Sequence, residues 1–363
     1  MSKDALAYVG DVRDVRIVAT LAEPGPYNRL WQPFIAKWRQ DHLIVAYGLH
    51  LTGKIDMGDI VCAISTDDGG SWEEPVMILD HRIPLGPRRF AYANPVLYHP
   101  PGQHVVWCYA MRCPLHYHDS EDSELCAAYS VDGGYSWQSV ELAVDYHGAA
   151  ITCAGIVEAR SDIGRRYLLP VHRNTRRHDP KGDQVQFVLE STSLLEWTMA
   201  GVIPQPEGVR VFMHEGNIAP DGEGGVLTTV MRTAKYGAVG GSLEPPTAYS
   251  STSRDGGRTW SPGRPEPALH NTVSKAYYGR DALGNAVYVY SMGPYRERRG
   301  LGYCVKPPGG DWSAPRTFYD AGVCNSYPTL LELAPSEFYA VWDSSGSAER
   351  KRTAIRFGKL SLN

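Results

Sequence analysis

Apolar residues along this chain come in short bursts, each closed by a polar or Gly/Pro-rich turn and followed by a second burst. Pro33-Phe-Ile-Ala leads through Gln40-Asp41 to Leu43-Ile-Val-Ala-Tyr47, and Pro95-Val-Leu-Tyr leads through Pro100-Pro-Gly102 to Val105-Val-Trp-Cys-Tyr109. The bursts are too short for amphipathic helices and rich in Val, Ile and Tyr, so each pair predicts two antiparallel strands joined by a tight turn. The same unit recurs from Gly155 to Val171, Asn217 to Val230, Tyr278 to Tyr290 and Pro328 to Trp342, which makes six hairpins.

A second signal runs beside the first. Ser65 to Trp72, Ser130 to Trp137 and Ser253 to Trp260 all obey S-x-D-x-G-x-[ST]-W. In such an octet the Asp accepts backbone N–H bonds within a tight turn, the Gly supplies a backbone angle that other residues resist, and the Trp packs under the turn. Degenerate copies keep the Trp at Trp197 and the Gly and Trp at Gly310 and Trp312. The octet resembles the Asp-box of the sialidase (BNR-repeat) superfamily. Three copies in one chain identify a repeat protein. Adding an Asp-box hairpin to each inner hairpin gives four strands per unit of roughly 60 residues. The expected fold is therefore all-β: a sialidase-like, six-bladed β-propeller with four-stranded antiparallel blades, a single domain over residues 1–363. β-Sandwiches do not repeat at this period. The runs Val15 to Ala19 and Thr353 to Phe357 are expected to share the last blade and close the ring.

Composition narrows the functions. The 37 Gly, 26 Pro and 22 Tyr suit a turn-rich β protein, and a net charge of −4 without a basic tract leaves no electrostatic footprint for nucleic acid. No apolar run approaches the ~20 residues that span a bilayer. The start lacks a secretory apolar region, and the seven cysteines are odd in number and mostly lie in strand-like runs. Both features point to reduced thiols and a cytoplasmic location.

In a propeller, function gathers at the mouth where inner strands begin and second strands end. That geometry nominates Trp31, Gln32, Asn94, His214, Glu215, Asn217, Tyr277, Asn325 and Tyr327 from strand starts. It also nominates Asp56, Asp59, Arg112, His116, His118, His172, Arg173, Arg232 and Arg296 from strand ends. Several Arg and His, a few carboxylates and Tyr suit an anionic sugar, because an Arg fork pairs a carboxylate bidentately. His116-Tyr-His118 with nearby carboxylates has no further ligand at a metal-binding spacing, so no metal or organic cofactor is expected.

The resemblance implies roles for some of these residues. His214-Glu215-Gly-Asn217, followed by a strand ending in Arg232, is similar to the sialidase segment with the Glu that polarises the nucleophile and one of three substrate-gripping arginines. Asn325-Ser-Tyr327 is similar to the segment bearing the nucleophilic Tyr, and Asp56 or Asp59 stands where the family places its acid/base. A phenol suits an anomeric carbon that bears a carboxylate, since an anionic nucleophile would be repelled. Two positions depart: Leu30-Trp31-Gln32-Pro33 stands where sialidases carry Phe-Arg-Ile-Pro, so Trp31 takes the place of the first Arg, and the fifth blade shows no clear third Arg, with Arg280 and Arg296 as the candidates.

The leading expectation is an exo-acting glycosidase that releases a terminal acidic sugar, with a carbohydrate substrate as partner. The rivals are a polysaccharide lyase using a His or Tyr base on a uronate, and a non-catalytic glycan-binding propeller.

Overall fold

The computed structural model describes residues 9–21, 25–117, 123–145, 150–152, 154–161, 164–172, 186–221, 225–235, 243–294, 298–346 and 352–362. Among them every regular element is a β-strand. All six anticipated inner hairpins form, for example Tyr27–Lys37 with Leu43–Leu51 and Asn325–Ala334 with Glu337–Ser344.

The strands assemble in a propeller-like arrangement. Three sheets hold four strands each: residues 211–270, residues 277–319, and residues 325–361 completed by Arg13–Thr20. The last one matches the expected closure, with Arg13 opposite Lys359 and Thr20 opposite Ala354.

The first half of the chain departs from six separate four-stranded sheets. Residues 27–79 and 90–140 each form a four-stranded set, and a single bridge between Gly58 and Tyr92 fuses them into one eight-stranded sheet. Gly58 already lies against the Leu49 carbonyl, where a Cβ has no room, so the backbone can close up at this point. The next sheet has six strands, because its inner strand is split into Ile151–Thr152 and Val157–Ser161 and because Ala143–Asp145 adds a parallel edge beside Glu196–Val202. Hydrogen bonding thus yields five sheets, not six.

Packing follows the ring. Apolar layers form between successive strand sets: Tyr47, Val61 and Ala63 of the first meet Tyr339, Val341 and Phe357 of the last. The inner strands surround an axial cavity of about 390 Å³ lined by residues 34–37, 97–99, 155–157, 217–220, 277–280 and 329–331.

The Asp-box turns form as their residues dictate. Ser65 Oγ donates to Asp67 Oδ1 at 2.8 Å, and Asp67 accepts from the Ser71 N–H at 2.8 Å and the Ser71 hydroxyl at 2.7 Å. The octets at Ser130 and Ser253 repeat this network. Gly69 adopts φ 83 and packs where a Cβ would strike the Phe357 ring of the last sheet. The degenerate copy keeps its shape with other residues: Leu194 takes φ 67, its N–H donates to Ser191 Oγ, and Trp197 Nε1 donates to the Leu194 carbonyl.

Candidate active site at the channel mouth

Four inner strands carry the same irregularity near their starts. Pairing slips between Trp31 and Phe34, Ala93 and Val96, His214 and Asn217, and Ser326 and Thr329. Inside each slip one residue adopts a left-handed backbone: Gln32 (φ 54), Asn94 (φ 55), Glu215 (φ 52) and Tyr327 (φ 51). A Pro or Gly follows each of them. Val273 (φ 54), four residues before Tyr277–Arg280, is also left-handed, a costly conformation for a β-branched residue. Such bulges re-aim side chains, and here they turn one residue per inner strand toward the mouth.

Glu215 and Arg232 pair at 2.5 Å, and the Arg232 charge also acts on the Tyr327 phenol. The Tyr327 ring lies 4.8 Å from the Arg298 guanidinium and meets Trp31 edge-on at 5.4 Å. Trp31 stacks on His50 at 4.8 Å and lies under Arg352 at 4.2 Å. Asp343, fully buried, accepts from the Ser326 hydroxyl and from the Gln32 N–H, which ties the Gln32 and Tyr327 bulges together. Asn325 braces the rim: its Nδ2 donates to the Arg299 carbonyl at 2.7 Å, and its N–H to the Arg298 carbonyl at 2.6 Å.

Electrostatics divide these groups. Burial would raise the Glu215 carboxyl, but Arg232 and the neighbouring histidines hold it down at about 2. Asp56 is the opposite case. Burial pushes it up although Arg352 and Arg298 pull it down, so its protonated form persists to higher pH. Tyr327 is likewise raised by burial against the pull of Arg298 and Arg232. Burial depresses His50 to about 3 and His172 to about 4, and takes His214 well below its usual value, so all three are neutral imidazoles near pH 7. His172 and His214 meet edge-to-face at 5.2 Å. Several buried polar atoms here lack a protein partner, including Gln32 Oε1, Asn94 Oδ1, His214 Nε2, Arg232 Nε and Arg298 Nη1. A native core rarely leaves so many such atoms in one place.

The structure brings together Asp56, Glu215, Tyr327, Arg232, His214, Trp31 and Gln32, with Asn94 on the equivalent bulge of its own strand. Asp59 is engaged elsewhere: its buried carboxylate accepts from the Tyr27 hydroxyl and from His81 Nδ1 at 2.8 Å. With Asp80, these two are the candidate cation-binding group among the described residues. The Arg82 guanidinium already holds Asp80 at 2.7 Å, which disfavours a cation there. Arg112 is already engaged in ion pairs, with Glu124 at 3.0 Å and Glu141 at 3.5 Å. His116 is exposed beside Tyr117 on a separate rim cavity of about 740 Å³. His118, Arg173 and Arg296 lie outside the described residues. Arg298, Arg352, His50 and Asp343 are the members that the sequence did not single out as mouth ligands.

Solved structures share this fold. The leech intramolecular trans-sialidase superposes with a TM-score of 0.71 at 14% identity, covering 98% of this chain and 71% of that one. The NanB sialidase of Streptococcus pneumoniae gives 0.67 at 11% identity over 96% and 70%. A protein of unknown function from Dyadobacter fermentans gives 0.68 at 16% identity over 97% and 100%. No curated protein matches the sequence. Residues 41–340 match the family model described as the BNR repeat-like domain. This chain, a sialidase-like BNR-repeat β-propeller, belongs to that family.

Proposed function

We propose that this protein is an exo-acting glycoside hydrolase on a six-bladed propeller, releasing a terminal acidic sugar. The blade count follows from dividing the eight-stranded sheet at its one bridge, and the six stretches that line the axial cavity support it. The observation that carries the function is the convergence of Tyr327, Glu215 and Asp56 with Arg232 and Arg298 at one mouth.

In this reading the Tyr327 oxygen bonds to the anomeric carbon as its proton passes to Glu215. Asp56 protonates the departing glycosidic oxygen. Asp56 then takes a proton from water, which breaks the tyrosyl–sugar bond, and Glu215 returns its proton to Tyr327. A raised Asp56 supplies the acid and a depressed Glu215 the ionised partner, so the two carboxyls divide the work by environment. Arg232 and Arg298 face the sugar carboxylate.

The test is turnover of an aryl α-sialoside. Wild type releases the aryl alcohol, and Tyr327→Phe is slower by on the order of 10³-fold or more. Failure of the wild type on every sialoside would sink the sialic-acid form. The neutral pair His172 and His214 beside Glu215 favours a second reading, a lyase whose imidazole abstracts a proton next to a uronate carboxylate. Ultraviolet absorbance of a new C=C bond separates it from hydrolysis. A cytoplasmic location is part of the proposal, supported by six buried free cysteines among the described residues, and cell fractionation checks it.

A further inference from the structure

The loop between Val76–Leu79 and Phe90–Tyr98 carries three arginines with different fates. Arg82 is claimed within the loop, where its guanidinium pairs with Asp80 at 2.7 Å. Arg88 and Arg89 are exposed, and among the described residues neither side chain has a hydrogen bond or an ion pair. Their backbone is held all the same. Leu85 and Arg88 exchange two backbone bonds around Gly86 (φ 59), and the Leu115 N–H donates to the Arg89 carbonyl at 2.9 Å. Unpaired guanidiniums on a fixed backbone suit recognition, because binding then costs only the ordering of side chains.

The facing wall follows Val106–Pro114. The Tyr117 N–H donates to the Pro114 carbonyl at 3.0 Å, and Lys54 Nζ donates to the Leu115 and Tyr117 carbonyls, both at 2.6 Å. Between the two walls lies the rim cavity of about 740 Å³, a size that holds a small ligand. Pro87, Pro114 and Leu115 give it apolar sides, and Arg88, Arg89 and His116 give it polar heads. Lys54 also ties the cavity to the channel mouth, since it stands in the same turn as Asp56, between Leu43–Leu51 and Gly58–Ser65.

We propose that this rim cavity is a subsite for the part of the substrate beyond the terminal sugar, and that it selects glycans in which that part carries a sulfate or carboxylate group. The proposal rests on the glycosidase reading for its direction: a leaving group that takes its proton from Asp56 departs over the Asp56 turn, toward Lys54 and the cavity. Arg88 and Arg89 fork onto the anionic oxygens, while Tyr117 and the two prolines pack against a pyranose face.

Isothermal titration tests this without requiring turnover. The probes are a poly-N-acetyllactosamine hexasaccharide, its 6-sulfated form and hexagalacturonate. The proteins are wild type, Arg88→Ala/Arg89→Ala and, as a control that removes the same charge from an Asp-box turn, Arg254→Ala/Arg258→Ala. Wild type is expected to bind at least one anionic chain about tenfold or more tighter than the neutral one. The Arg88/Arg89 variant should lose that preference and the control should keep it. Preference for the sulfated chain alone assigns a sulfate, and preference for hexagalacturonate alone a carboxylate. Truncating two side chains without protein partners removes no native contact, so the melting temperature should stay at its wild-type value. Equal or absent binding of neutral and anionic chains by wild type would overturn the proposal. So would a preference that survives in the Arg88/Arg89 variant, or one lost equally in the control. If wild type hydrolyses no sialoside yet binds an anionic chain through Arg88 and Arg89, the hydrolase reading falls alone. If it hydrolyses sialosides but shows no preference, the subsite falls alone.

Discussion

Ser65, Asp67 and Ser71 at one face of the molecule bond to one another and to their own backbone, and the same network recurs twice more. At the mouth, the opposite ends of the same strands carry buried charges, non-glycine residues with left-handed backbones and polar atoms without protein partners. The first face satisfies most of its demands locally, within eight residues, with Asp68 reaching Tyr339 and Lys359 of the last sheet. The second satisfies its demands only across sheets, as when Asp343 holds Gln32 or Arg298 covers Tyr327. Local satisfaction gives stability that repeats; satisfaction shared between sheets gives a single concave surface with capacity left for a ligand.

Substitutions can break or sharpen this contrast. The largest effect on stability is expected from Arg232→Ala, which leaves Glu215 as a buried, unpaired carboxylate and should cost about 3–5 kcal/mol in denaturant unfolding. Next comes acidification of the wild type. His50 and His172 are depressed to about 3 and about 4 in the folded state, so an unfolded chain takes up protons that the native chain refuses. The stability they contribute is complete above about pH 6.5 and declines as pH falls toward those values, by about 1.4 kcal/mol per pH unit for each group. Glu215 adds a loss that begins below its ordinary value and is complete as pH falls through about 2. A flat unfolding midpoint between pH 7 and 4 would contradict the neutral histidines. On the other face, Gly69→Ala forces a Cβ into the Phe357 ring at a positive φ and should cost about 1–3 kcal/mol without altering ligand affinity. The smallest change is expected from Asp255→Asn, an exposed turn residue whose replacement should lower the melting temperature slightly and leave turnover untouched. Loss of turnover in that variant would erase the distinction between the two faces.

The same contrast explains what the sequence made legible. An Asp-box spells its turn in eight consecutive residues, and an inner hairpin in about fifteen, so both were readable along with the closure by Val15 to Ala19. Fusion of two sheets through Gly58 and Tyr92 was not, because one backbone bridge leaves no pattern. At the mouth, Glu215, Tyr327 and Gln32 were legible because each opens an inner strand. That Glu124 on the neighbouring strand pairs with Arg112 was not legible, because a strand-end position does not reveal its cross-strand partner. Asp56 and Asp59 sit three positions apart, one in the turn and one inside Gly58–Ser65, and only the structure shows that Tyr27 and His81 occupy the second. Arg298 and Arg352 lie in connecting turns that repeat nothing. The signal available was the excess of arginine in Arg296-Glu-Arg298-Arg299 and in Arg350-Lys-Arg352.

The pairing of Arg13–Thr20 with Ala354–Ser361 has a consequence for the timing of biogenesis. The sheet that bears Tyr327 and Asp343 takes its edge strand from Arg13–Thr20 and that strand's neighbour from Ala354–Ser361, on the far side of all the other strands in sequence. The early strand must wait, unpaired, until Ala354–Ser361 has emerged from the ribosome, and the loop it then closes contains every other strand of the propeller. Assembly of the mouth is thus a late event, and a prematurely terminated chain would hold most of its blades without presenting a working pocket.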